Sequence, residues 1–233
     1  MSDDTGARRE GRKARTRAEV RKTAQRLFAE RGFDAVTIAD VAAAADVAVQ
    51  TVFNHFSTKE ALFFDGRTPW IDDAAAAVTQ RAPGGDPVRA LRAYLERDLR
   101  QLLDQESLPE NRSYLEALHR SPSLQERERT LVEQTGERVA EVLSGAISAG
   151  HWSAVPAADR ATAHILSRLV ADLFLIAGRV LVLENRRLVL SSEPDESRRL
   201  SVQAMTAATL GELEHCVAGL ARQLTDPQLG RSA

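Results

Sequence analysis

Apolar residues recur at helical spacing along almost the whole chain, and nowhere does a run of β-branched residues alternate with polar ones between turn signals. Val20, Ala24, Leu27 and Phe28 stand at i, i+4, i+7 and i+8, on one face of a single helix. Thirty-seven alanines add residues that lose no side-chain entropy in a helix. Aromatic residues, at 5%, are too few to supply the usual strand-forming set. The pattern predicts an all-α fold, and 233 residues suffice to bury a sizeable core in one domain or two.

Proline, glycine and capping residues divide this pattern into about nine helices. The first is expected over 12–31, stopped by Gly32, with Phe33 folding back onto its end. A short alanine-rich helix over 38–44 follows, with Thr37 as its cap and Asp40 closing a capping box. Ala45, Asp46 and Val47 form a turn, and a third short helix covers 49–54. Ser57, Thr58, Lys59 and Glu60 make a second capping box, opening a fourth helix at Ala61 that Pro69 kinks or restarts. The stretch Pro83-Gly84-Gly85-Asp86-Pro87 is the clearest break, with Asp86 placed to cap a fifth helix. Further helices are expected over 109–119, 122–150 and 157–190, and a last one ends near 224. A loop at 151–156 and the triplet Glu193-Pro194-Asp195 separate the last three.

The formal charge of −2 does not by itself suggest nucleic acid. Its distribution does: between Arg8 and Arg31, ten basic residues against three acidic ones give +7 and leave −9 for the remainder. A basic arm on an acidic body suits an anionic partner at one end, or is a solvated arm with none. A single cysteine, Cys216, excludes an intramolecular disulfide framework and any multi-cysteine metal cluster, and reads as a small buried residue. His215 points about 100° away from it on a helix and no third ligand is placed, so no metal or other cofactor is expected. Residues 1–11 are polar, unlike a secretory signal. No stretch of about 20 apolar residues runs uninterrupted. A cytoplasmic protein with no membrane partner is the expectation.

Two short helices joined by a three- or four-residue turn and braced by a longer one make a helix-turn-helix, whose second short helix can enter a DNA major groove. The residues Thr37-Ile38-Ala39-Asp40-Val41-Ala42, then Ala45-Asp46-Val47-Ala48-Val49-Gln50-Thr51-Val52-Phe53-Asn54-His55-Phe56, then Thr58-Lys59-Glu60-Ala61-Leu62 carry that spacing. Over about 20–64 the sequence resembles the DNA-binding signature of TetR-type transcriptional regulators.

The resemblance implies a role for each matching residue. Thr37 would hold a phosphate at the second helix's N-terminus. Val49, Gln50 and Thr51 would begin the recognition helix, with Gln50 suited to adenine and Val49 or the Thr51 methyl to a thymine methyl. Phe53, Asn54 and His55 would lie along the groove, and Lys59 would neutralise a phosphate. The 12–17 segment, with Arg15 and Arg17, would follow the backbone or reach a minor groove. Read as packing alone, Phe53 and Phe56 are core anchors, His55 is a surface residue, and Thr37 and Ser57 are caps.

Three positions depart from the family pattern. Asp46 stands where glycine is usual, in a turn that favours left-handed backbone. Ala48 replaces a serine that would cap the recognition helix, a loss of about 1 kcal/mol. Phe53 replaces a tyrosine whose hydroxyl can reach a phosphate. These changes bear on affinity rather than on the presence of the motif.

The expected organisation is a flexible basic arm (1–11), a helix-turn-helix domain (12–60), a helical ligand-binding and dimerisation domain (61–225) and a flexible tail (226–233). The helix over 157–190 is apolar on more than one face, which suits burial in one bundle or against a second copy. The resemblance favours the second copy, because the last two helices of each TetR-type subunit form a four-helix interface. Leu173, Val180, Met205, Leu213 and Val217 are the interface residues this implies. A two-fold homodimer would read two half-sites of a palindromic double-stranded operator. The resemblance also implies a small-molecule effector held in the body. Polar or aromatic residues in apolar context are the candidates: Trp70, Tyr94, Tyr114, His119, Trp152, His164, Arg168 and Asp172. Each also suits an ordinary core, interface or surface role, with Asp172 pairing with Arg179 or across the dimer.

No phosphate loop, dinucleotide fingerprint, HExxH zinc motif or Gly-x-Ser-x-Gly elbow occurs, so no catalytic residue is expected. The resulting expectation is a homodimeric repressor released by a small ligand. The alternatives are a transcriptional activator, or a helical protein-interaction adaptor whose motif has reduced DNA affinity. Steep loss of affinity with salt marks the DNA binder.

Overall fold

Helix N-termini fall where the capping residues stand. In the computed structural model, which describes residues 3–155, 158–191 and 196–225, the described residues form eleven α-helices, one 3-10 turn and no strand. Their only β feature is an isolated bridge between Trp152 and Val155. The Glu193-Pro194-Asp195 break, Pro156 and Ala157 of the loop boundary, and the 226–233 tail lie outside the described residues. The chain forms two compact units, Met1–Thr68 with Ser113–Arg127, and Pro69–Arg112 with Glu128–Ala233.

The first unit opens with α1 (Asp3–Arg31), which starts well before the expected residue 12. No proline interrupts this stretch, and Gly6 and Gly11 each weaken a helix by only about 1 kcal/mol. Its first buried side chain is Val20, followed by Ala24, Leu27 and Phe28, so the basic residues before it lie on a solvated helix. Gly32 ends α1 at φ 83°, with its N–H on the Phe28 carbonyl at 3.0 Å. Phe33 then folds back onto Phe28, their ring centroids 5.3 Å apart. The next elements are α2 (Ile38–Ala44), α3 (Val49–Phe53) and α4 (Lys59–Phe64). Phe63 of α4 joins Phe28 and Phe33, and Tyr114 of α8 (Arg112–Arg120) stacks on Phe63 at 4.7 Å. This aromatic cluster is the head's core, and it groups α8 with the helix-turn-helix.

The second unit begins at the predicted interruption. Pro69 restarts the chain as a one-turn helix, α5 (Pro69–Asp72), and α6 (Ala74–Thr79) follows after a break at Asp73. The free Asp73 N–H at that break donates to the buried Tyr94 hydroxyl at 3.1 Å. Asp86 caps α7 (Pro87–Glu106) by accepting from the N–H groups of Val88 and Arg89. Asp159 caps α10 (Arg160–Leu190) in the same way through Ala161 and Thr162. With α9 (Pro122–Ser148) and α11 (Glu196–Leu224), these helices enclose a core of Trp70, Leu91, Leu95, Leu99, Leu103, Trp152 and Phe174 among others. At Gly178 an added Cβ would meet the Trp70 ring at 3.0 Å and Leu99 at 3.2 Å, so α10 passes this point only because the side chain is absent.

Candidate nucleic-acid interface

The turn between α2 and α3 is a complete Schellman motif. Val47 N–H reaches the Ala42 carbonyl at 3.0 Å and Asp46 N–H the Ala43 carbonyl at 3.3 Å. Asp46 itself sits at φ 53°, the one non-glycine residue with positive φ among those described. The glycine expected at this place is thus replaced by a residue that bears the steric cost of left-handed backbone. Ala48 is the N-cap of α3 and makes no side-chain cap bond. Ala48→Ser is expected to raise the head's stability by about 1 kcal/mol, and Asp46→Gly by up to about 1 kcal/mol. Thermal unfolding checks both; a loss of stability in either variant contradicts this account of the turn.

The third helix buries Val52 and turns the rest of its surface outward. Val49 is 42% exposed and Phe53 45%, while Gln50 and Asn54 are also exposed and Thr51 is half-buried. Of the two phenylalanines read as core anchors, Phe56 is one, at 2% exposure, and Phe53 is not. The five-residue α3 buries Val52 alone, and Phe56, past its end, is the second anchor. Gln50 donates from Nε2 to Asn54 Oδ1 at 3.2 Å, which aligns the two amides along one edge of the helix. This edge presents hydrogen-bonding groups and an aromatic face together.

Several flanking residues carry structural duties. Thr37 accepts from Asp40 N–H at 3.1 Å and donates its hydroxyl to Asp40 Oδ2 at 2.6 Å. Its backbone N–H meets the same carboxylate at 2.8 Å, completing the capping box. These bonds hold the Asp40 carboxyl below the usual carboxylate range. The Thr37 hydroxyl hydrogen is therefore engaged locally, and a carboxylate already faces the dipole of α2. Lys59 donates to the carbonyls of Phe33 and Val36 at 3.0 and 3.1 Å, with its ammonium 4.1 Å from the Phe33 ring centre. It pins the turn between α1 and α2.

Arg17 pairs with Asp65, donates to the His55 carbonyl at 2.7 Å, and lies over the Phe56 ring at 4.4 Å. Arg15 and Arg17 are both exposed on α1. Burial, and then the cations of Lys13 and Arg17, hold the His55 ring below the usual histidine range. At neutral pH it offers a neutral N–H donor rather than a charge.

The eight effector candidates do not converge. Trp70 and Trp152 are core residues at 1% and 2% exposure. Tyr94 satisfies the break before α6, and Tyr114 lies in the first unit, between the Phe63 ring and the Arg67 guanidinium. His119 is exposed on α8. His164 and Arg168 do share a groove of about 1100 Å³ between α9 and α10, with Glu137, Glu141 and Arg160 on its walls. Asp172 pairs with Arg168 at 2.7 Å, one helical turn away, and not with Arg179 as the seven-residue spacing suggested.

Of the interface candidates, Leu173, Val180 and Met205 are exposed at 40%, 59% and 56%. Val217 is buried in the body's own core, and Leu213 packs against that core while keeping part of its surface exposed. Cys216 is exposed rather than buried. Among the described residues no group of three or more His, Cys, Asp or Glu could hold a metal ion, and no helix is long and apolar enough to cross a membrane.

The sequence pattern was blind to a cluster in the second unit. Arg186 of α10 holds Glu106 and Glu128, 80 and 58 residues away, and all three are buried. Spacing could not reveal that association; polar residues on the buried stripe of an apolar helix were the only hint.

Residues 20–65 match the family model of bacterial regulatory proteins, tetR family. No curated protein matches the chain. Among solved structures it is similar to native NalD, the secondary repressor of the MexAB-OprM multidrug efflux pump in Pseudomonas aeruginosa. That match has 19% identity and a TM-score of 0.50, covering 87% of this chain and 96% of that one. A candidate transcriptional regulator from Pseudomonas aeruginosa PAO1 is similar at 16% identity and a TM-score of 0.50, covering 89% and 92%. Thermus thermophilus FadR, a TetR-family repressor solved with lauroyl-CoA, has 23% identity and a TM-score of 0.48, covering 86% and 92%. At these identities the likeness is one of fold. Over residues 20–65 the helix-turn-helix matches that of the bacterial regulatory proteins of the tetR family.

Proposed function

We propose that the protein is a homodimeric repressor that binds a palindromic operator and is released from it by a small molecule. The observation that carries this reading is the outward edge of α3, where Val49, Gln50, Phe53 and Asn54 stand exposed while Val52 anchors the helix. Gln50 offers an amide for the adenine edge, and Val49 a methyl surface for thymine. The +7 segment of α1 supplies charge for the phosphates, with Arg12, Lys13, Arg15 and Arg17 exposed along it.

A second observation favours the dimer. Ile165, Leu169, Leu173, Ile176, Val180 and Leu183 of α10 are all 37% exposed or more, and they follow each other three or four residues apart. That is a continuous apolar stripe along one helix, and α11 adds Leu200, Met205 and Leu220. Soluble monomers rarely leave so long a stripe uncovered. A second copy meeting it across a two-fold axis would cover both stripes at once. Repression is the simplest output, because occupying an operator is sufficient for it, whereas activation needs a polymerase contact.

Gln50→Ala is expected to cost about 1–3 kcal/mol at one position of each half-site and to leave other positions alone. Titration of single-base operator variants by fluorescence anisotropy reads this directly. Equal loss at every position would remove Gln50 from base reading and make it a packing residue. The adaptor reading would show instead as weak binding with little dependence on salt.

A further inference from the structure

Buried polar atoms without partners are rare, and each needs a reason. Three lie together in the second unit. Arg186 donates from Nε and Nη2 to Glu106 Oε1 at 2.8 and 2.6 Å, and from Nη1 to Glu128 Oε1 at 2.6 Å. The three residues are 6%, 3% and 4% exposed, in that order. Glu106 Oε2 has no hydrogen bond. Asn185 is fully buried and brings its amide beside the Glu106 carboxylate, yet neither its Oδ1 nor its Nδ2 meets hydrogen-bond geometry.

Charge is unbalanced at the same place. Two carboxylates face one guanidinium, leaving one negative charge in excess inside a low-dielectric core. Burial, more than any neighbour, pushes the Glu106 carboxyl above the usual carboxylate range, against the pull of Arg186 and Asn185. Among the described residues the cluster sets one positive group against two carboxylates, and Glu106 Oε2 and Asn185 Oδ1 are its acceptors without a hydrogen bond.

We infer that this cluster recognises the ammonium group of an amine effector. A protonated amine set against Glu106 Oε2 and Asn185 Oδ1 donates to both open acceptors and cancels the excess charge. An anionic ligand would meet two carboxylates there, and a neutral alcohol would leave the charge in place. Because Glu106 ends α7, Glu128 lies on α9 and Arg186 on α10, a ligand held here touches three body helices at once. The inference rests on the reading of the body as effector-binding, and it names the ligand's chemistry.

The test is ligand binding by the full chain without DNA, so its failure is distinct from failure of operator binding. Benzylamine and cyclohexylamine are compared with benzyl alcohol, cyclohexanol and benzoate at pH 7.5 and equal ionic strength. Near a hundred times their Kd, the amines are expected to raise the unfolding midpoint by about 5–10 °C, while the alcohols and benzoate leave it unchanged. The amine shift should shrink at pH 5, where a proton competes for Glu106. Asn185→Leu removes the amide but keeps the Arg186 ion pairs, and Glu106→Gln removes the excess charge; each should weaken amine binding at least about tenfold. If Glu106→Gln does not fold, Asn185→Leu alone decides. Equal shifts from amines and alcohols, no shift from either amine, or an amine shift that survives both substitutions would overturn the inference.

Discussion

Arg186→Met is expected to destabilise the protein by about 3–5 kcal/mol, because it leaves Glu106 and Glu128 buried without their common counter-charge. For a chain of this length that corresponds to a fall in Tm of roughly 10 °C or more. Methionine fills much of the vacated volume, so the loss is electrostatic rather than a cavity effect. The sign with pH follows. Without the guanidinium, the folded state favours the protonated carboxyl more strongly than the unfolded chain does. Stability from that protonation is present at low pH and is lost as pH rises through the folded value. The deficit relative to the parent protein should therefore be smaller at pH 5 than at pH 8 in urea unfolding. A deficit below about 1 kcal/mol, or one that is the same at both pH values, would mean that the cluster contributes packing rather than charge pairing.

The paired substitution Ile176→Glu and Val180→Glu should convert the protein to monomers. Both side chains stand in the exposed stripe of α10, at 58% and 59% exposure, so the single chain loses little by the change. Across a two-fold axis, however, the new carboxylates of two copies would face each other. Sedimentation velocity should show the monomer mass. Operator affinity should fall about 10²–10⁴-fold, because each head then binds its half-site without the other's help. A dimer that survives the double substitution would place the interface elsewhere. A monomer that keeps full affinity would remove dimerisation from operator reading.

Local rules made most of the fold legible. Thr37 and Asp86 cap the helices they were expected to cap, and Gly32 ends the first. Thr58 rather than Ser57 caps α4, which starts at Lys59 and not Ala61, and Asp159 starts α10 later than the expected 157. Boundaries failed where no breaker marks them, as at the start of α1. The exposed edge of α3 was legible too, because a helix-turn-helix fixes which residues of its second short helix face outward. Phe53 was ambiguous, since an aromatic residue suits either a core or a groove until Val52 of α3 and Phe56 beyond it are seen to fill the core. What the sequence hid depends on distant partners. Tyr114 looked like a body residue, yet its ring stacks on Phe63 of the head. Cys216 looked buried by its type and is exposed by its place on α11. The Glu106, Glu128 and Arg186 cluster joins three helices that no spacing rule relates.

The most direct test of the account is selection from a pool of random duplex DNA by the purified full-length protein, with the retained molecules sequenced. The account predicts enrichment of an inverted repeat whose half-sites are spaced by about one helical turn, with the base preference opposite Gln50 lost in Gln50→Ala. A pool that stays random at low salt, with the protein folded, dimeric and free of small molecules carried through purification, would contradict it.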